Sequence, residues 1–107
     1  MKIVYFSFPY TSNPKKNTEK VKSLARAFYS KHEDVILLIP HLVFDAVYNF
    51  PCGYALSPTI LIKEIILIEK SDVFMYCKSA LSCGVLWELA IAKRLGKEIW
   101  IYEEMMK

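Results

Sequence analysis

The chain has 107 residues, of which 54% are hydrophobic and 23% charged, and it carries a net charge of +3. That size and composition suit one globular domain rather than a disordered chain, and so small a charge, spread along the sequence, excludes a dedicated nucleic-acid binder built on a basic face. The N-terminus has one lysine before prolines and polar residues, unlike a secretory signal, and no apolar run approaches the ~20 residues of a membrane span, so no membrane contact and a cytoplasmic location are expected.

Residues 2–7, KIVYFS, are β-branched and aromatic, are closed by Phe8-Pro9-Tyr10, and read as a buried strand. A helix follows from Pro14, with Thr11, Ser12 or Asn13 as its cap and proline at the first helical position. Val21, Leu24, Ala25 and Phe28 recur at helical spacing and carry that helix to about residue 30. Residues 34–40, DVILLIP, form a near-continuous apolar strand of the kind found in parallel sheets. Residues 41–56 have no period and read as a long irregular segment, a length often given to function. Its aromatics, Phe44, Tyr48, Phe50 and Tyr54, suit a pocket wall, a core cover or a contact between subunits, and a homodimer or higher homo-oligomer is one expectation.

Ser57 and Pro58 restart a helix, and Ile62, Ile65, Ile66 and Glu69 keep helical spacing to Lys70. Residues 72–77 form a third strand, 78–82 a loop, 83–95 a third helix with Gly96 as its C-terminal cap, and 98–103 a fourth strand. The alternation predicts an α/β fold: a three-layer sandwich around a four-stranded parallel sheet of order 2-1-3-4, with flavodoxin-like, Rossmann-like winding. Ligands of such sheets bind where the strand order reverses, between strands 1 and 3, beyond their carboxyl ends. Residues 8–13 and 78–84 flank that crevice.

Three cysteines with no CxxC, and two histidines, show no metal-ligand spacing, so neither a metal nor another cofactor is expected; Cys77, in an apolar run, reads as a buried free thiol. The third helix holds one acid, Glu88, among Leu86, Trp87, Leu89, Ala90 and Ile91. Its side chain leans back toward the helix N-terminus and so toward the crevice. Gly84, without a Cβ, allows a ligand close to the backbone. Ser82 fits a helix cap or a ligand contact. Tyr5 fits a core aromatic or a partner of Glu88. Tyr10, in the exposed first loop, suits stacking on a base or packing over the first helix. His41, after the second strand, suits a structural role as well as a site role. Asp72 reads as a turn residue at the start of strand 3, away from the crevice.

Three motifs give these residues a common setting: Val-Tyr-Phe-Ser-Phe-Pro-Tyr at 4–10, Ser-Asp-Val-Phe-Met-Tyr-Cys at 71–77, and Ser82-x-Gly84-x-x-x-Glu88 followed by LAIAKRLGKEI. Taken in order over most of the chain, they resemble the nucleoside 2-deoxyribosyltransferase-like superfamily, including its small members, and the third motif is the most specific. A Pro-His-Leu after the second strand, at 40–42, is shared with some small members. The resemblance implies a glycosyl-enzyme mechanism on a nucleoside or nucleotide, with Glu88 as the nucleophile on the anomeric carbon and Tyr5 holding it oriented. It also implies that Ser82 and Gly84 hold the sugar or a 5′-phosphate; Ser7, Pro9 and Tyr10 are candidates for substrate contact, and His41 and Asp45, in the region after strand 2, are candidates for contacts to the leaving group. The chain departs from the pattern in placing Phe8 where the family has glycine, and in lacking a clear base-recognising aspartate loop. The transferases also take residues from a neighbouring subunit's C-terminal segment; with Lys107 soon after the fourth strand, that contribution is not expected here. A non-catalytic nucleotide-binding or interaction module that keeps the fold is the alternative expectation.

Overall fold

The structure is a computed structural model that describes residues 1–10, 12–43 and 58–107. Its elements in chain order are β1 (Lys2–Ser7), α1 (Pro14–Lys31), β2 (Val35–Leu38), α2 (Pro58–Lys70), β3 (Val73–Tyr76), α3 (Cys83–Arg94), β4 (Glu98–Ile101) and a short α4 (Tyr102–Met105). The four strands are all parallel and lie in the order β2-β1-β3-β4. This is the three-layer α/β architecture expected from the alternation of elements, with β1 central and its carboxyl end beside that of β3.

Alternation along β1 divides the interior. Val4, Phe6 and Phe8 face one side, where Val21, Ala25 and Phe28 of α1 and Tyr102 of α4 complete a core. Tyr5 faces the other side, with Phe74 of β3, Ile68 of α2, and Leu89 and Ala92 of α3. Register makes these layers continuous: Tyr5 lies opposite Leu38 and Phe74, and Phe74 opposite Ile99. Phe6 and Phe28 are fully buried, each contributing about 1.5–3 kcal/mol relative to exposure. The Phe6 ring stacks on Tyr102 at 5.5 Å, and the Tyr102 hydroxyl donates to the Leu24 carbonyl at 2.8 Å, so α4 is fastened to both β1 and α1.

The helix ends are made as their residues predict. Asn13 Oδ1 accepts from the Lys16 amide at 3.3 Å ahead of Pro14. At the end of α3, the Gly96 amide donates to the Lys93 carbonyl and the Lys97 amide to that of Ala92, a Schellman closure, with Gly96 at φ 71°, where a side chain would be strained. Asp72 closes the opposite end of the sheet. Its carboxylate accepts from the Ile3 amide at 2.8 Å, which agrees with a turn residue away from the crevice.

Several boundaries differ from the sequence reading. The second strand is shorter than 34–40, and residues 40–43 are helical, so the irregular segment does not begin at His41. Pro40 presets a helical φ, and the Leu42 and Val43 amides both donate to the Ile39 carbonyl. The fourth strand stops at Ile101, because Tyr102 turns down onto Phe6 and starts α4. The buried stripe of α2 holds Ile60, Glu64 and Ile68, whereas Ile62 and Ile66 are 59% and 48% exposed. That helix is apolar almost all round, so period alone does not choose its inner face. Asp45, Cys52, Ser57 and the aromatics between 44 and 54 lie outside the described residues. Among the described residues, no helix is long and apolar enough to cross a membrane.

Phe8 belongs to the α1 core, edge-on to Phe6 at 6.2 Å, and not to the side that holds Glu88. Replacing Phe8 by alanine is expected to cost about 3–5 kcal/mol of stability. Urea denaturation measures this; a cost under about 1 kcal/mol would place the ring outside the core.

Candidate functional site

The site is built on the face of the sheet shared by α2 and α3. Ser82 caps α3 by accepting from the Val85 amide at 3.2 Å. From that start Val85, Glu88, Leu89 and Ala92 form the buried stripe of the helix. Glu88 therefore points at the sheet and is only 7% exposed. It meets two residues of β1 that share a face by their spacing of two. Tyr5 Oη donates to Glu88 Oε2 at 2.5 Å, and Ser7 Oγ donates to Glu88 Oε1 at 2.6 Å. Each carboxylate oxygen thus holds a hydroxyl donor, and these bonds are of the short kind that ionised acceptors make.

A second acid completes the cluster. Glu64 sits on the buried stripe of α2, 5% exposed, and hydrogen-bonds Glu88. Burial, then the neighbouring Glu88 charge, then that hydrogen bond push the Glu64 carboxyl up to about 8. Burial also raises Glu88, opposed by the hydrogen bonds from Ser7, Tyr5 and Glu64. Two carboxyls so close hold one proton between them at neutral pH. The two hydroxyl donors favour the anion on Glu88, which makes Glu64 the seat of the proton. The arrangement offers chemistry one oriented, desolvated carboxylate and one carboxylic acid beside it.

The predicted residues divide into three groups. Tyr5, Ser7 and Glu88 are brought together. Ser7 is fully buried, and its hydroxyl is bonded to Glu88. Tyr10 and His41 form a second grouping: Tyr10 is buried, not exposed, and its ring lies 4.9 Å from that of His41 and packs on Ile60. Burial there comes from the helical turn at 40–43, which brings His41 inward. Pro9 is half-buried in the same loop. At the mouth of α3, Ser82 acts as the cap, while a Cβ on Gly84 would meet only Ser82 Oγ, at 3.8 Å. Packing therefore does not require glycine at 84.

Glu64 was missed by sequence reasoning, though a signal existed. It lies four residues from both Ile60 and Ile68, on one helical stripe with them. Elsewhere, Cys77 is the buried thiol expected, pushed up to about 12 by burial and then the Glu103 charge, and so unreactive. Among the described residues, no group of three or more His, Cys, Asp or Glu is placed to hold a metal ion.

The shared proton has a consequence for stability. Glu64 binds it more tightly in the folded chain than at its ordinary value of 4.5. The resulting stabilisation is complete below about pH 4.5 and is lost as pH rises through about 8. Denaturation across that window should show stability falling with pH by at most about 1.4 kcal/mol per unit. Glu64→Gln should flatten the slope, and an unchanged slope in that variant would assign the titration to another group.

A scan of the sequence against protein-family models finds no match, and a search of the curated proteins finds none either.

Proposed function

We propose that the protein cleaves or transfers the N-glycosidic bond of a nucleoside or nucleotide, with Glu88 as nucleophile. The observation that carries this reading is the pairing of the Glu88 carboxylate, held by Tyr5 and Ser7, with the protonated Glu64 at the carboxyl ends of β1 and β3. In the first step a Glu88 oxygen bonds to the anomeric carbon while the carbon–nitrogen bond breaks. The Glu64 proton passes to the leaving base. Glu88 is then a neutral ester, so the neighbouring charge that adds to burial in raising Glu64 is gone and its carboxylate is easier to hold as an anion. In the second step that carboxylate takes a proton from water or from an acceptor base, which attacks the anomeric carbon and frees Glu88. The two carboxyls must part to the ~5–5.5 Å that retaining enzymes use, and a sugar entering between them does this.

Tyr5 and Ser7 keep the nucleophile in one rotamer and share its charge. Gly84 and Ser82, at the mouth of α3, are the nearest polar backbone for the sugar or a 5′-phosphate. The superfamily likeness of the Ser82-x-Gly84-x-x-x-Glu88 motif agrees with these roles. A cytoplasmic location and a homo-oligomer fit the same reading.

Incubation with deoxynucleosides and deoxynucleotides, followed by chromatography for free base, tests the proposal. Base release by the wild type and none by Glu88→Ala is expected, with Glu64→Gln slowed by about 10²–10⁴-fold. Release that persists in Glu88→Ala would overturn it. Ligand-dependent thermal shifts without any turnover would select a binding module instead, a reading favoured by how deeply Tyr5 and Ser7 are buried. Gly84→Ala adds a separate check on the mouth of the helix. Stability should hold or rise by up to about 1 kcal/mol, since the new methyl finds space and the helix prefers alanine, while KM rises. An unchanged KM would remove Gly84 from the substrate contacts.

A further inference from the structure

The loop between β3 and α3 carries the Ser82 cap and so sets where α3 begins. Its first residues are gripped by one side chain from the far end of the chain. Glu103 Oε1 accepts from the Lys78 amide at 2.9 Å, and Glu103 Oε2 accepts from the Ser79 amide at 3.3 Å and from Ser79 Oγ at 2.5 Å. Burial works against the Glu103 anion, but the Ser79 hydroxyl and the backbone amides hold its carboxyl below the ordinary range. The anchor behind Glu103 is rigid. The preceding residue, Tyr102, is stacked on Phe6 of β1 and bonded to the Leu24 carbonyl of α1. Between the grip and the cap the loop closes one turn, with the Ala80 amide donating to the Cys77 carbonyl at 3.1 Å. By contrast, Glu104 reaches no backbone amide of the loop: it pairs with the Lys78 ammonium at 3.0 Å and the Lys107 ammonium at 2.9 Å, in exposed ion pairs of the kind worth little.

We propose that Glu103 is a positioning residue: by clamping Lys78 and Ser79 it fixes the crevice loop, the Ser82 cap and the first turn of α3 at the mouth of the Glu88 site. A loop of five residues before a helix has many conformations, and three donors converging on one anchored carboxylate select one of them. The role is remote from the reacting atoms. It sets how well the loop and the amides of α3 are arranged before substrate arrives. The inference rests on reading the crevice as the substrate site, and its test separates the two.

Hydrogen–deuterium exchange over residues 78–85 is measured in the wild type, Glu103→Ala, Glu103→Gln and Glu104→Ala, together with steady-state base release from deoxynucleosides. In Glu103→Ala, protection at Lys78 and Ser79 should fall about tenfold or more, and the loss should extend to Val85, whose amide depends on Ser82. KM should rise severalfold with kcat within about twofold of wild type. Glu103→Gln keeps one acceptor oxygen but turns an amide N–H toward a backbone N–H, so it should recover only part of both effects, while Glu104→Ala should match the wild type. Unchanged Val85 protection in Glu103→Ala, or a fall in kcat at constant KM, overturns the clamp. Ser79→Ala leaves Glu103 in place and removes one donor; a smaller loosening in the same direction supports the clamp, and no change counts against it. A wild type without turnover sinks the substrate reading alone, and exchange at Val85 then decides whether Glu103 clamps.

Discussion

A carboxylate taken out of water costs several kcal/mol unless its charge is shared and its oxygens are bonded, and the middle of this sheet is arranged around that requirement. Glu88 reaches the interior because α3 starts at Ser82 and turns its stripe of Val85, Leu89 and Ala92 onto the sheet. There the hydroxyls of Tyr5 and Ser7 take its two oxygens, and the carboxyl of Glu64 shares its proton from α2. Three elements distant in sequence must hold their register for one charge to be tolerated. The β2-β1-β3-β4 order makes that possible, since it sets β1 beside β3 and leads both α2 and α3 over the same face.

The opposite face supplies the rigidity. Successive residues of β1 point to opposite sides, so Phe6 and Phe8 enter the α1 core while Tyr5 and Ser7 attend Glu88. A change of register by one residue would exchange the two sets and bring phenylalanines to the acids. Tyr102 ties the end of the chain to this hydrophobic side through Phe6 and Leu24. Its neighbour Glu103 reaches the loop that leads to α3. Packing on one face of the sheet is thereby connected, through a few hydrogen bonds, to the geometry of the acids on the other.

The legibility of the sequence varied with how uneven each element is. The helix α1 was plain because charged residues surround Val21, Ala25 and Phe28, and Asn13-Pro14 marks its start. In α2 and α3 apolar residues occupy nearly every face, so the pattern located the helices without saying which side is inside. That is why the helical spacing of Ile62, Ile65, Ile66 and Glu69 does not mark the inner face of α2, and why Glu64, beside Lys63, does not stand out from the sequence. Glu88 was recognised from its place after a capped, glycine-containing turn at the crevice. The boundaries near Pro40 and Tyr102 shifted for local reasons, one a proline that starts a helical turn and the other an aromatic that finds its partner on β1.

By itself the sequence determined the alternation of strands and helices, the parallel sheet and its order, because hydrophobic period, caps and right-handed crossovers leave few other arrangements. It also determined that a lone glutamate stands at the start of the third helix, beside the switch point. Only the tertiary structure decided that Glu88 is paired with Glu64, that Ser7 belongs to the carboxylate and Phe8 to the far core, and that Glu103 grips the loop after β3. The hydrogen bonds among them join residues 24 to 81 positions apart in the chain. Side chains so separated carry no mutual pattern in one sequence, and what pairs them is the closing of layers around groups that cannot be buried alone.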